Sequence, residues 1–212
     1  MDRRSYDQYC GLAKALDVVG ERWTLLIVRN LLLGSQRYSE LLRALPGITT
    51  NLLAKRLQDM EELGLLERVG GESSGQAYRL TTLGLALEPA VHALSRWGWK
   101  TMGPPKKEFR SFDFLMVALR RRYRGGTALR GEIVADGVPY RVILSEARAE
   151  IARGEVDRPD VVIRGPGSAL IRLFLEESAR KKWPAEIEIE GRAADAKALI
   201  GAFRSKDVDE AA

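Results

Sequence analysis

From residue 9 to residue 101 the apolar positions recur at helical spacing in blocks, and polar or Gly/Pro-rich breaks separate the blocks. A first helix carries Cys10 and runs on to Glu21-Arg22-Trp23, a second covers residues 38–45, Pro46-Gly47 makes a turn, and a third helix starts at Thr50. In that third helix Leu53, Leu57, Met60 and Gly64 fall on one side, and Asn51, Lys55, Gln58 and Glu62 on the other. Thr49 or Thr50 supplies a hydroxyl N-cap, and Gly64 marks the end. Two strands are then predicted, 65–69 and 78–81, on either side of the polar run Gly70-Gly71-Glu72-Ser73-Ser74-Gly75.

Two helices joined by a tight turn and followed by a polar hairpin outline a winged helix-turn-helix, so the expected function is DNA binding. In such folds the second helix enters the major groove by its N-terminal residues. The candidates are Thr49, Thr50, Asn51, Lys55 and Arg56, with Arg37 ahead of the helix pair and Ser73, Ser74 and Gln76 in the wing. Asn pairs bidentately with adenine, and Arg or Lys reaches guanine or phosphate. One sequence does not separate base contact from backbone contact. An ordinary solvated helix has the same polarity; the hairpin, standing where a wing belongs, is what favours DNA.

After Thr81 the residues Leu83, Leu87, Val91, Leu94 and Trp97 form a long apolar stripe on a helix ending near Gly103. A small winged domain has no internal need for it. The expectation is a two-fold interface shared with the first helix through Tyr6, Cys10, Ala13 and Leu16 or Asp17, hence a homodimer; packing on the C-terminal half is the alternative. His92 lies beside the stripe without a neighbouring carboxylate and reads as structural.

Gly103-Pro104-Pro105-Lys106-Lys107-Glu108 is the best boundary in the chain. It divides a first domain, 1–103, from a linker, 104–108, and a second domain, 109–212. Beyond it the pattern turns to α+β. A basic helix is followed by two alternating strands, 128–135 and 138–145, around Asp136-Gly137. Further strands are predicted at 147–153, 160–164 and 186–190, and helices at 166–178 and 193–204. The expected product is an antiparallel or mixed sheet with helices on one side.

Composition narrows the class. The chain has 212 residues, 45% of them apolar and 30% charged, as in a globular protein. No apolar run approaches the roughly 20 residues of a membrane span, and no leader pattern opens the chain, so a soluble cytoplasmic protein without membrane contact is expected. One cysteine and one histidine leave no intramolecular disulfide and no His/Cys metal cluster, and no cofactor is expected. The net charge of +5 sits almost wholly in 104–124, where seven Lys/Arg face two Asp/Glu. That basic stretch could attract phosphate, but Phe112, Leu115, Met116, Leu119 and Tyr123 keep an apolar helical face there. Arg120, Arg121, Arg122 and Arg124 read equally well as its wet edge.

The N-terminal half resembles the HxlR-type family of bacterial transcriptional regulators. The resemblance rests on Cys10, on Val19 through Ile27 with Gly20-Glu21-Arg22-Trp23, on Arg37-Tyr38-Ser39-Glu40-Leu41 and Pro46-Gly47-Ile48, on Leu63-Gly64-Leu65-Leu66-Glu67-Arg68, on Tyr78-Arg79-Leu80-Thr81-Thr82-Leu83-Gly84, and on Trp97-Gly98. It implies a dimer on an inverted-repeat operator, with the reading helix at 50–63, the wing at 70–77, and a repressor as the expected sign of control. Gly11 stands where that family usually has Pro, and Ser73-Ser74-Gly75 where a Pro-rich wing is common. The C-terminal half is similar to sterol-carrier-protein-like domains through Ala152-Arg153-Gly154-Glu155, Pro159-Asp160-Val161-Val162-Ile163 and Ile187-Glu188-Ile189-Glu190-Gly191. This second resemblance implies an apolar tunnel for a hydrophobic effector, with Phe112, Met116, Leu119, Leu170, Leu173, Phe174 and Trp183 as candidate lining; the same residues would also fill a dry core.

An enzyme is not expected. Gly125-Gly126 and Gly165-Pro166-Gly167 lack the Lys-Ser/Thr of a nucleotide loop, Cys10 and His92 are far apart, and the carboxylates are scattered. Cys10 is a candidate redox sensor if Arg3, Arg4 or Lys14 lowers its pKa, and otherwise a small buried apolar group in the interface. A hydrophobic-ligand carrier that uses the winged domain only to dimerise is the alternative function.

Overall fold

The computed structural model describes residues 5–70, 76–103 and 109–203. The chain divides into two compact units, Met1–Trp97 and Gly98–Ala212. The boundary falls within the last helix of the first unit, a few residues before the expected joint; linker 104–108 itself lies outside the described residues.

The first unit starts with two helices, α1 (Gly11–Val19) and α2 (Thr24–Leu31), where the apolar pattern predicts one. The break has a local cause. Gly20 follows α1 so closely that a Cβ there would stand 2.4 Å from the Leu16 carbonyl oxygen, and Trp23 turns the chain in the left-handed region at φ 82°. A two-residue strand, β1 (Gln36–Arg37), leads into α3 (Tyr38–Ala44), and the Pro46-Gly47 turn into α4 (Thr50–Glu62). Gly64, at φ 68°, ends α4: its N–H meets the Glu61 carbonyl at 2.9 Å and the Leu65 N–H meets Met60 at 2.9 Å, the Schellman pattern. The hairpin strands β2 (Leu66–Val69) and β3 (Ala77–Leu80) pair antiparallel, and β1 joins the other edge of β3. Leu53, Leu57 and Met60 of α4 are buried, as are Ile27, Leu31 and Leu41 of α2 and α3. The C-terminal stripe is likewise split, into α5 (Thr82–Leu85) and α6 (Glu88–Trp99).

The second unit is a mixed sheet in the order β6-β5-β4-β7-β8. Its strands are β4 (Leu129–Ala135), β5 (Val138–Leu144), β6 (Ala149–Arg153), β7 (Val161–Gly165) and β8 (Glu188–Gly191). Only β4 and β7 run parallel. The β4–β5 hairpin turns on Asp136 and Gly137, both at positive φ (50° and 80°), as a tight two-residue turn requires. The helices are α7 (Phe112–Arg122), α8 (Gly167–Leu175), α9 (Glu177–Lys181) and α10 (Ala193–Gly201). The helix expected at 166–178 is thus interrupted, because Glu176 adopts an extended conformation between α8 and α9. Phe112, Phe174, Phe203, Tyr123 and Tyr140 form a continuous chain of ring contacts, with centroids 5.3 to 6.5 Å apart.

One charged cluster is built into this core. Asp113, buried in the first turn of α7, accepts the Tyr140 hydroxyl at 2.8 Å and a two-pronged contact from Arg153 at 3.1 and 2.6 Å. It thereby ties α7 to β5 and β6. At the other end of the hairpin turn, the Asp136 carboxylate accepts the Gly167 N–H at 3.1 Å and caps the start of α8.

Candidate nucleic-acid interface

The interface is assembled around the N-terminus of α4. The Thr49 hydroxyl accepts the Leu52 N–H at 3.3 Å, and the Thr49 carbonyl accepts Leu53 N–H at 2.9 Å, so Thr49 is the N-cap of the helix. Thr49, Thr50, Asn51 and Lys55 are all exposed. The Tyr38 hydroxyl, from the first turn of α3, donates to the Thr50 carbonyl at 2.7 Å and braces the start of α4 against the preceding helix. Sequence reasoning missed Tyr38; the available signal was an aromatic residue opening the first of two paired helices.

Arg37 is exposed at the start of α3, where its N–H meets the Glu40 carboxylate at 2.7 Å. It pairs with Ala77 across the β1–β3 ladder, so it stands at the base of the wing beside Gln76, which is also exposed. Ser73 and Ser74 lie outside the described residues. The outer strand faces carry ion pairs, Arg79 to Glu67 at 2.7 Å and Arg68 to Glu61 at 2.9 Å.

Arg56 is placed differently from its neighbour Lys55. It is 8% exposed, and its guanidinium pairs with Glu21 at 3.0 Å and Asp59 at 3.3 Å. Of the DNA candidates on α4, Arg56 is thus the one buried and paired within the unit. The reason is periodicity: position 56 shares the buried line of Leu53, Leu57 and Met60. Lys55, in contrast, keeps an exposed ammonium with Asp59 3.4 Å away.

Cys10 is exposed, not buried, and stands at the N-cap position of α1. Its thiol is lowered below the ordinary value first by the backbone N–H of Ala13, then by that of Leu12. Among the described residues the source is the helix N-terminus and not Lys14; the expected contribution of Arg3 and Arg4 lies outside the described residues. His92, read from sequence as lacking a carboxylate neighbour, stands 3.2 Å from Glu88 one turn earlier on α6. Of the apolar stripe, Leu83, Leu94 and Trp97 remain exposed and Val91 is buried.

In the second unit Phe112, Met116, Leu119, Leu170, Leu173 and Phe174 are buried together, and Trp183 is half-buried. Arg122, at the end of α7, has its pKa lowered by burial and then by the charge of Arg121. Among the described residues no three His, Cys, Asp or Glu side chains are grouped to hold a metal ion, and no helix is long and apolar enough to cross a membrane.

A helix pair with a five-residue connection (45–49), a capped second helix with an exposed outer face and an adjoining three-stranded wing define the first unit as a winged helix-turn-helix. Residues 18–106 match the HxlR-like helix-turn-helix family. YvaP of Bacillus subtilis (strain 168), an uncharacterized HTH-type transcriptional regulator, is 40% identical over 93 residues, 43% of this chain and 86% of YvaP. The chain belongs to the HxlR-like helix-turn-helix family. An uncharacterized HTH-type transcriptional regulator of Mycobacterium tuberculosis, MT3179, is 42% identical over 102 residues, 45% of this chain. The match spans 64% of that mycobacterial relative. Among solved structures the chain is similar to PA1607, a candidate transcription factor, with 38% identity, 49% of this chain and 73% of that one covered, and a TM-score of 0.44. The family match stops at residue 106 and leaves nearly all of the second unit outside it.

Proposed function

We propose that the protein is a transcriptional regulator that binds an inverted-repeat operator as a homodimer, acting as a repressor. The observation that carries this reading is the exposed row Thr50, Asn51 and Lys55 at the capped N-terminus of α4, beside Arg37 and Gln76 at the base of the wing. Backbone N–H groups at the helix start and the cations of Lys55 and Arg37 suit phosphate, and the Asn51 amide suits an adenine edge. The homodimer is supported by the apolar groups that the single chain leaves uncovered on α1 (Leu12, Leu16) and α6 (Leu94, Trp97).

The second unit is proposed to hold a hydrophobic effector between sheet and helices, in the manner of a sterol-carrier-protein-like domain. Two of its candidate lining residues, Phe112 and Phe174, meet in an edge-on ring contact, so a ligand would enter by parting packed side chains such as these. Control by that effector requires different affinities for DNA-competent and incompetent forms.

The test is selection of bound duplexes from a fragmented genome, followed by titration of the selected site at several salt concentrations. Asn51→Ala is expected to weaken binding roughly tenfold or more and relax one base position, at unchanged salt dependence. Lys55→Ala should weaken all duplexes alike and reduce the salt slope by about one. Folded wild-type protein that enriches no duplex would sink the DNA reading.

A further inference from the structure

We infer that Glu21 and Trp23, in the corner between α1 and α2, are positioning residues for the reading helix, with Arg56 as their anchor on α4; the inference rests on the DNA reading above. Three observations converge on this corner. Trp23 holds φ 82°, a left-handed conformation that a bulky side chain adopts only when its surroundings impose it. The edge of its ring, Cη2, lies 3.9 Å from where a Cβ on Gly47 would stand, so the indole rests on the turn between α3 and α4. The Glu21 carboxylate, two residues earlier, meets the Arg56 guanidinium at 3.0 Å across 35 residues of sequence. One short segment thus touches the helix-turn-helix at its turn and one and a half turns into its second helix.

Arg56 is suited to that role and not to phosphate. Its side chain is 10% exposed, and Asp59 holds its other nitrogen at 3.3 Å. Glu21 is itself 61% exposed, so the pair is screened and its direct contribution is modest. Its effect on DNA binding comes through geometry, because a small rotation of α4 displaces Asn51 and Lys55 together. Since the corner is the end of α1, the pose of the reading helix also depends on where α1 ends.

The experiment compares wild type with Glu21→Gln, Arg56→Gln and the double variant, on a duplex the wild type selects, over a salt series. Simple electrostatics predicts that removing the Glu21 charge leaves affinity unchanged or tightens it, since DNA is an anion. The positioning role predicts the opposite sign. Glu21→Gln is expected to weaken binding about fivefold. Arg56→Gln should do the same at an unchanged salt slope, and the double variant should lose no more than the worse single variant. Tighter or unchanged binding by Glu21→Gln overturns the inference, as does a salt slope that falls by about one in Arg56→Gln, the mark of a phosphate contact. Arg56→Lys keeps the charge and loses the two-sided grip; it is expected to behave like Arg56→Gln, and full retention of affinity would count against positioning. A readout without DNA separates this inference from the function it rests on: the Leu52 and Leu53 amides should exchange faster in Glu21→Gln, and unchanged exchange overturns the coupling. If wild type binds no duplex but those amides respond, the DNA reading fails and the corner's hold on α4 stands.

Discussion

Lys55 and Arg56 are adjacent cations with opposite fates, and a rotation of about 100° around a helix separates them. The spacing from Leu53, Leu57 and Met60 was already sufficient to place Arg56 on the packed side; its polarity argued for the surface, and the ion pairs with Glu21 and Asp59 account for a buried guanidinium. Cys10 was singled out in the sequence for nearby cations, whereas the described residues lower its thiol pKa through the backbone N–H groups of Ala13 and Leu12 in the first turn of α1. Its alkylation by iodoacetamide is expected to show a pH midpoint below that of a free cysteine in an unfolded control, and a coincident midpoint would deny the helix effect. Tyr140 titrates in the other sense: burial first, and the Asp113 charge next, push its phenol well above the usual tyrosine range. A raised folded pKa stabilises below the unfolded value near 10 and is lost as pH rises beyond it, so the second unit should lose stability above about pH 10. Tyr140→Phe should flatten that alkaline phase, as followed by denaturant midpoints at increasing pH.

At the scale of elements, the predicted helices 38–45 and 50–63 and the wing strands agree closely with α3, α4, β2 and β3. Amphipathic period and turn chemistry are local, and local signals suffice there. They failed at Gly20 and Glu176, where an unbroken apolar stripe concealed a change of direction. They also failed at β1, two residues too short to show alternation and formed only because β3 offers an edge. Gly84 illustrates how closely elements approach: a Cβ on it would lie 2.0 Å from the Leu65 carbonyl oxygen, on backbone that cannot move aside. Gly84→Ala is therefore expected to destabilise the first unit by about 1–3 kcal/mol, read as a lowered melting temperature of that unit. A melting temperature equal to wild type would mean that α5 is free to shift away from β2.

At the scale of the whole molecule, the large apolar groups left exposed on α1 and α6 matter most. Leu94 is 52% exposed and Trp97 66%, on a helix that buries only Val91. Water-exposed side chains of that size in a row suit the surface that the proposed homodimer needs. If the proposed homodimer forms through this face, Trp97→Glu should shift sedimentation from dimer to monomer and weaken binding to the proposed inverted repeat at least tenfold, since each half-site would then be bound alone. A dimer of undiminished stability in that variant would remove α6 from the interface.

The sequence by itself determined the helix-turn-helix, its hairpin strands, and the exposed Thr50, Asn51 and Lys55, because helical period, capping hydroxyls and turn residues act within a few positions of one another. The tertiary structure decided what depends on distant partners: the engagement of Arg56 with Glu21, the brace from Tyr38 to Thr50, the Asp113–Arg153–Tyr140 cluster and the parallel pairing of β4 with β7. Each joins residues 12 or more positions apart, and periodicity carries no information about which distant side chains a closed core will bring within hydrogen-bonding reach.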